Sequence, residues 1–291
     1  MRITGNRLID LQAASTTKAQ ASVGTVSAQL SSGLRVVTPS DDPTAWLAAQ
    51  RSKLRQAFSQ GSGAAVVASR ERLEVTDNSL AALGEAVSQI RSLAVQGASD
   101  TYNADNRAGL GAEVRGLFRT ALDAANVQGN DGEYLLAGTA SLTAPFDATG
   151  SYLGDATVRS VPGNGSVTAG VTIAGASLTA AHGVDVLPLL DRIATALSSN
   201  DMPTLLAALP DLDTAIKQIS LARSQSGAAM NALDQTTAAR TVLEESMQAA
   251  IARYVEVDTV TAASELAKAS QSLEVSRAVS SHIIAVLAPS A

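Results

Sequence analysis

The stretch Leu73-Glu-Val-Thr76-Asp-Asn-Ser-Leu80-Ala-Ala-Leu83-Gly-Glu-Ala-Val87-Ser-Gln-Ile90-Arg-Ser-Leu-Ala94 decides the fold. Leu73, Thr76, Leu80, Leu83, Val87, Ile90 and Ala94 alternate by three and four. That spacing puts them on one stripe of an α-helix, the seam of a heptad pattern. Followed outward, the pattern predicts a helix from Pro43 to about residue 99. At about 1.5 Å per residue such a helix reaches roughly 85 Å. Gly61 and Gly63 lie inside it, and each costs about 1 kcal/mol relative to Ala, so this is where a kink is expected.

Upstream stands Thr38-Pro-Ser-Asp-Asp-Pro43. Pro39 forces Thr38 to be extended. Asp42 before Pro43 reads as an N-cap with Pro at the first helical position. Asp41 adds negative charge near the helix's positive end. A metal or catalytic pair is the competing reading of Asp41 and Asp42, but capping accounts for both.

The two ends of the chain read alike. Residues 1–32 carry Ile3, Leu8, Leu11, Val23, Val26 and Leu30 among Ala, Ser and Thr, and the last three have helical spacing. Gly33 is placed to end that helix in the left-handed conformation. At the other end Thr259, Ala262, Leu266, Ala269, Leu273, Ser276, Ser280, Ile283 and Leu287 take heptad positions. Ser276 and Ser280 thin that seam. The expected assembly seam is therefore Val23, Val26, Leu30, Leu266, Leu273, Ile283 and Leu287. Either these ends pair inside one folded monomer, or they order only when subunits assemble. A membrane-surface role is poorly served, because the faces lack Trp, Phe and a Lys/Arg flank.

Between the ends, Asn103 or Asp105 caps a helix over about 105–127 with Leu110, Val114 and Leu117 on its stripe. Residues 128–133 form a turn without the ligand pattern of a calcium loop. The period then changes. Val167, Ala169, Val171 and Ile173 alternate with polar and Gly residues after the turn Pro162-Gly-Asn-Gly165, which predicts a small β region within 134–185. Helices return over 186–200 and 203–227, with Pro210, Asp211 and Asp213 marking a restart. A last helical pattern runs from Gly227 and weakens around 255–260. The expected fold is mainly α: a long antiparallel bundle or coiled coil of N- and C-terminal segments, with a small β-rich insert in the middle.

Composition narrows the function. At 291 residues the chain makes one large domain or two to three small ones. Hydrophobic residues are 46% but aromatics only 3%, so Ala, Leu and Val do the packing, as in bundles. Net charge is −6 with scattered basic residues, which speaks against nucleic acid. Cys is absent, which removes disulfides, thiolate metal sites and a thiol nucleophile. No apolar run approaches the roughly 20 residues a membrane span needs. Asn6, Arg7, Asp10 and Gln12 interrupt any signal-peptide core. His182 and His282 are far apart, and no phosphate loop, dinucleotide fingerprint or nucleophile elbow is present. No catalytic, cofactor or metal residue is expected.

Four short motifs carry a resemblance: Leu30-Ser-Ser-Gly33-Leu-Arg35, Thr38-Pro-Ser-Asp-Asp-Pro43, Gly132-Glu-Tyr-Leu-Leu-Ala-Gly138 with Pro145-Phe146, and Tyr152-Leu-Gly-Asp155. In this order and spacing the chain resembles the flagellin superfamily of bacterial axial proteins, and within it the hook–filament junction branch. Flagellins usually read Ala-Lys-Asp-Asp-Ala-Ala-Gly at the second motif. The Pro-flanked turn (Ser40, Asp41, Asp42, Pro43) and the Gly132, Glu133, Tyr134, Gly138 segment favour the junction branch over a filament subunit. Trp46 stands where the family often has a small residue, and Leu136 where it has Phe. The motifs cover 1–155; the C-terminal helices match by pattern only.

The resemblance implies a non-enzymatic extracellular subunit, exported unfolded by the flagellar type III system with no cleaved signal. It implies a ring of subunits joining the hook, through hook-associated protein 1, to flagellin, with an export chaperone and the export gate as further partners and no cofactor, nucleic acid or membrane. It also implies three regions: 1–33 plus 257–291 as a terminal coiled coil lining an inner tube, 34–138 plus 186–256 as a helical rod, and 139–185 as a small β-rich outer domain. A filament subunit and a signalling or adhesin coiled-coil stalk are the rivals.

Overall fold

The computed structural model describes residues 2–162, 168–170 and 172–287. The chain is mainly helical, with α1 Arg2–Ser32, α2 Pro43–Gly97, α3 Ala104–Ala125, α4 Val186–Ser198, α5 Met202–Val255 and α6 Thr259–Leu287. It divides into two compact units, one of Met1–Phe58 with Leu243–Ala291 and one of Ser59–Val242.

The second unit holds the larger core. The whole predicted stripe of α2, Leu73 to Ala94, is buried, and Leu73, Leu80, Val87 and Ile90 are fully so. Val114, Phe118 and Ala121 of α3, Leu190, Ile193 and Leu197 of α4, and Leu205, Leu212 and Ile219 of α5 join it. Each fully buried aliphatic side chain stabilises by about 1.5–3 kcal/mol relative to an exposed one. Gly111 lets α3 and α4 approach closely: a Cβ there would lie 2.9 Å from the Ser198 amide and 3.0 Å from the Ala194 carbonyl. That packing offsets the roughly 1 kcal/mol that Gly costs inside a helix.

Ion pairs step along α2 and α5 in antiparallel order: Arg70 with Asp234 at 2.8 Å, Asp77 with Arg223 at 3.1 Å, and Arg91 with Asp213 at 2.6 Å. Exposed pairs like these add little stability individually.

At two places where the sequence suggests an interruption the helix continues. The α2 helix runs on through Gly61 and Gly63. Beside Gly63 lies the Arg240 guanidinium, 3.1 Å from where a Cβ would sit, and Arg240 donates to Ser62 Oγ at 2.7 Å. Nor does Pro210 restart a helix; it lies inside α5. Leu205, Ala208, Leu212 and Ala215 are buried on both sides of it, so packing holds the helix across the missing amide. The start is set instead by Asp201, whose Oδ2 accepts from Thr204 Oγ1 at 2.6 Å.

Between α3 and α4, regular strand among the described residues is limited to β1 Ser160–Pro162 and β2 Thr168–Gly170, paired antiparallel with Val161 opposite Ala169. Single bridges, turns and two short 3-10 turns make up the rest. Asp and Thr side chains there bind nearby amides and compete with ladder pairing. Val167, Val171 and the turn at 163–165 lie outside the described residues. Gln218 of α5 fixes the 3-10 turns, donating to the carbonyls of Ser177 and Thr179 at 2.8 Å each and accepting from the Val184 amide at 3.1 Å.

In the first unit α1 pairs with α6. A small cluster of Val36, Ala45, Ala49 and Val255, with Leu34, Trp46 and Ile251 against it, forms beside them. Trp46 thus fills space in an apolar cluster.

Candidate assembly interface

The terminal pair is built on a heptad seam. On α1 the shielded positions include Gln12, Thr16, Ala19, Val23, Val26 and Leu30, spaced by four and three. On α6 they include Ala262, Leu266, Ala269, Leu273, Ser276, Ser280 and Ile283. Val26, Ala262 and Ser276 are buried; Val23, Leu30, Leu266, Leu273 and Ile283 are half-buried. The side chain of Leu287 lies outside the described residues. Below Val23 the seam turns polar, while Leu8 and Leu11 are exposed. Gln12, Thr16 and Ala19 are the members absent from the predicted seam. The signal was present as the same spacing continued through polar residues.

The polar stretch is hydrogen-bonded. Gln12 Nε2 donates to the Ser276 carbonyl at 2.9 Å and to Ser276 Oγ at 3.2 Å. Thr16 Oγ1 lies 3.1 Å from Ser276 Oγ and 3.3 Å from Ser280 Oγ.

An elbow closes the other end of the pair. Gly33, at φ 72°, ends α1. The Val257 amide donates to the Gly33 carbonyl at 3.0 Å and the Arg35 amide to the Val255 carbonyl at 2.7 Å. Arg35 Nη2 donates to the Tyr254 carbonyl at 2.9 Å, and Nη1 to Asp42 Oδ2 at 3.2 Å. Asp42 Oδ1 accepts from the Ala45 amide at 3.0 Å, the N-cap of α2. Asp41 accepts from the amides of Thr38 at 2.7 Å and Val37 at 3.0 Å. The Thr38 and Val37 amides lower the Asp41 pKa; the Ala45 amide, then Arg35, lowers that of Asp42. Ser40 Oγ lies 2.8 Å from Thr38 Oγ1, and Pro43 opens α2. These residues shape a turn.

The other two motifs meet each other in the second unit. Glu133 accepts from Arg159 at 2.8 Å and pairs with Arg72 at 3.2 Å, and Arg72 also pairs with Asp131. The Arg159 hydrogen bond holds the Glu133 pKa below its ordinary value. The Tyr134 amide donates to the Ser141 carbonyl at 2.8 Å. Gly132 and Gly138 take positive φ, 77° and 71°. Tyr152 Oη donates to the carbonyls of Leu136 at 3.1 Å and Asp155 at 2.7 Å. Asp155 accepts from the Thr139 hydroxyl, from its amide at 3.0 Å and from the Thr157 amide at 2.8 Å. The Thr139 hydroxyl is the largest cause of its strongly lowered pKa. The two motifs thus form one interlocked knot.

Among the described residues no comparable cluster gathers catalytic or metal-binding side chains. His182 and His282 are exposed. Among the described residues no group of three or more His, Asp or Glu is placed to hold a metal, and no helix is long and apolar enough to cross a membrane.

Against this geometry the comparisons are specific. The profile of the bacterial flagellin N-terminal helical region matches residues 7–141, and that of the C-terminal helical region matches 209–286. Together they take in well over half of the sequence. The chain belongs to the flagellin superfamily. Within it, flagellar hook-associated protein 3 of Salmonella typhimurium is 31% identical over 157 residues, 53% of this chain and 49% of the relative. Hook-associated protein 3 of Escherichia coli is 34% identical over 131 residues, 44% of this chain and 41% of the relative. This flagellin-superfamily chain therefore aligns with about half the length of the curated relatives it matches. The flagellar junction protein FlgL from Legionella pneumophila shares the fold, with a TM-score of 0.56 at 15% identity over 72% of this chain and all of that one.

Proposed function

We propose that this chain is a structural subunit of the bacterial flagellum that joins the hook to the flagellin filament. The observation that carries the reading is the identity, above 30%, to two proteins named for hook association. The helical termini with a thin shared seam support it physically, since such a pair gains stability by binding neighbours. The filament-subunit alternative has less support, because these relatives are hook-associated protein 3.

On this reading the chain is not an enzyme. It leaves the cell unfolded through the flagellar type III export gate, with a chaperone, and assembles with copies of itself between hook-associated protein 1 and flagellin. Residues 1–33 plus 257–291 line an inner tube; 34–138 plus 186–256 form a rod; the turn-rich 139–185 faces outward as a small β-containing domain. Val23, Val26, Leu30, Leu266, Leu273, Ile283 and Leu287 make the seam that neighbours share.

Deletion of the gene tests this. The expected result is hooks without filaments and flagellin shed into the medium. Intact filaments on motile cells would contradict it.

A further inference from the structure

We propose that an exposed apolar and basic face near the start of α2 docks onto the acidic outward face of α3 in a second copy of this chain. This rests on the flagellar-assembly reading only in that copies meet, and not on order in α1 and α6 of the free chain.

Leu47, Arg51, Leu54 and Phe58 follow one another at intervals of four, three and four along α2. That spacing puts them on one stripe of the helix. The stripe lies opposite the side that carries the buried Ala45 and Ala49. Leu47 is 51%, Leu54 71% and Phe58 81% exposed. Single exposed apolar residues need no explanation, but three in seam spacing make a patch of the kind that binds protein. Its charge is one-sided: Pro43–Phe58 holds Arg51, Lys53 and Arg55 and no acidic residue.

The second unit has the opposite charge, with 18 acidic against 11 basic residues, a net of −7. Within it α3 presents Gly109, Glu113, Gly116 and Thr120, all exposed, at the same intervals of four, three and four. Asp105 and Asp123 extend that stripe by one step at either end, while Arg115 and Arg119 lie to one side of it. A Cβ at Gly109 or Gly116 would meet nothing within 4 Å, unlike one at Gly111 against α4. The chain's own packing therefore gives no reason for two residues that weaken a helix.

The two stripes match. When they run antiparallel, Leu54 faces Gly109, Arg51 faces Glu113 and Leu47 faces Gly116. Large side chains then meet small ones, as close packing requires, and the charge pair between them selects the register. Because the two faces differ, every copy can dock one neighbour and receive another. That builds a ring or a row rather than a two-fold pair.

The chain has no Cys, so single introduced ones report the contact. Full-length Leu54→Cys chain is mixed with affinity-tagged Gly109→Cys chain under mild oxidation. The mixed disulfide should form about tenfold faster than it does when Val67→Cys, exposed on another side of α2, replaces the first chain, the factor that complementary charge adds to an encounter. High salt should reduce that advantage. Adding Arg51→Glu to the first chain should remove it, and Glu113→Arg in the second should restore it. Recovery by the paired change is a result that a folding defect cannot give. Equal rates for the Leu54→Cys and Val67→Cys chains, or no recovery with the paired charge change, would overturn the proposal. The mixture holds purified chain alone, so its outcome is separate from where the protein sits in the flagellum, which the gene deletion tests.

Discussion

Gly138 leaves no space for a side chain beside Asp155: a Cβ at 138 would lie 2.3 Å from Asp155 Oδ1 and 2.4 Å from its carbonyl oxygen. Its φ of 71° disfavours any other residue as well. Strain and overlap act together here. Gly138→Ala should cost about 1–3 kcal/mol, measured by denaturant unfolding. Gly132→Ala, with the same φ region but open space around it, should cost less.

Acid should loosen this knot. Asp155 is held well below its ordinary pKa, chiefly by the Thr139 hydroxyl, and Glu133 is lowered chiefly by Arg159. Between folded and unfolded pKa values the unfolded chain binds more protons, so stability rises with pH there. Their contribution is complete above the unfolded values of about 3.9 for Asp and 4.3 for Glu. It is lost as pH falls through the depressed folded values. Asp155→Asn should be less stable at pH 7, and its stability should fall less between pH 5 and pH 2 than that of the parent. Equal slopes in a pH series of urea melts would contradict this.

Arg107 is buried at 8% exposure and ties three segments together. It donates to the Gly97 carbonyl at 2.8 Å, the Ser99 carbonyl at 3.0 Å and Asn200 Oδ1 at 2.7 Å. It thereby satisfies carbonyls at the end of α2 and fixes Asn200, which has a φ of 55°. Arg107→Leu should cost about 2–3 kcal/mol by leaving those acceptors unpaired. Lys at 107 should restore only part of that, since it cannot form the same fork.

Charge in the terminal seam should act locally. Leu266→Asp and Leu273→Asp place carboxylates at half-buried seam positions. Faster hydrogen exchange is expected across α1 and α6, with unchanged protection of Leu73–Ala94. Assembly should be lost.

The long helices were legible because their apolar spacing repeats over many turns, as from Leu73 to Ala94. Their caps were legible because Asp42 and Asn103 satisfy local amides, as the 3.0 Å and 2.8 Å bonds show. Pro210 misled because its local cost is overridden by burial from both sides of α5, which no window of sequence displays. The middle segment was harder. Alternation at 167–173 pointed to strand, and Thr168–Gly170 is strand, whereas much of 128–160 is held by side-chain bonds such as those of Asp155 and Asp147 to nearby amides. The motifs marked which residues matter there, but their contact across 132–138 and 152–155 is tertiary. Seam positions Val26 and Leu266 followed from periodicity. Gln12 and Thr16 did not, because a search for apolar stripes discards polar members.

Immunogold electron microscopy of intact flagella, with the chain tagged in an exposed loop, tests the central claim most directly. A single band of label at the boundary between hook and filament is the predicted result. Label distributed along the filament would contradict it and make the chain a filament subunit.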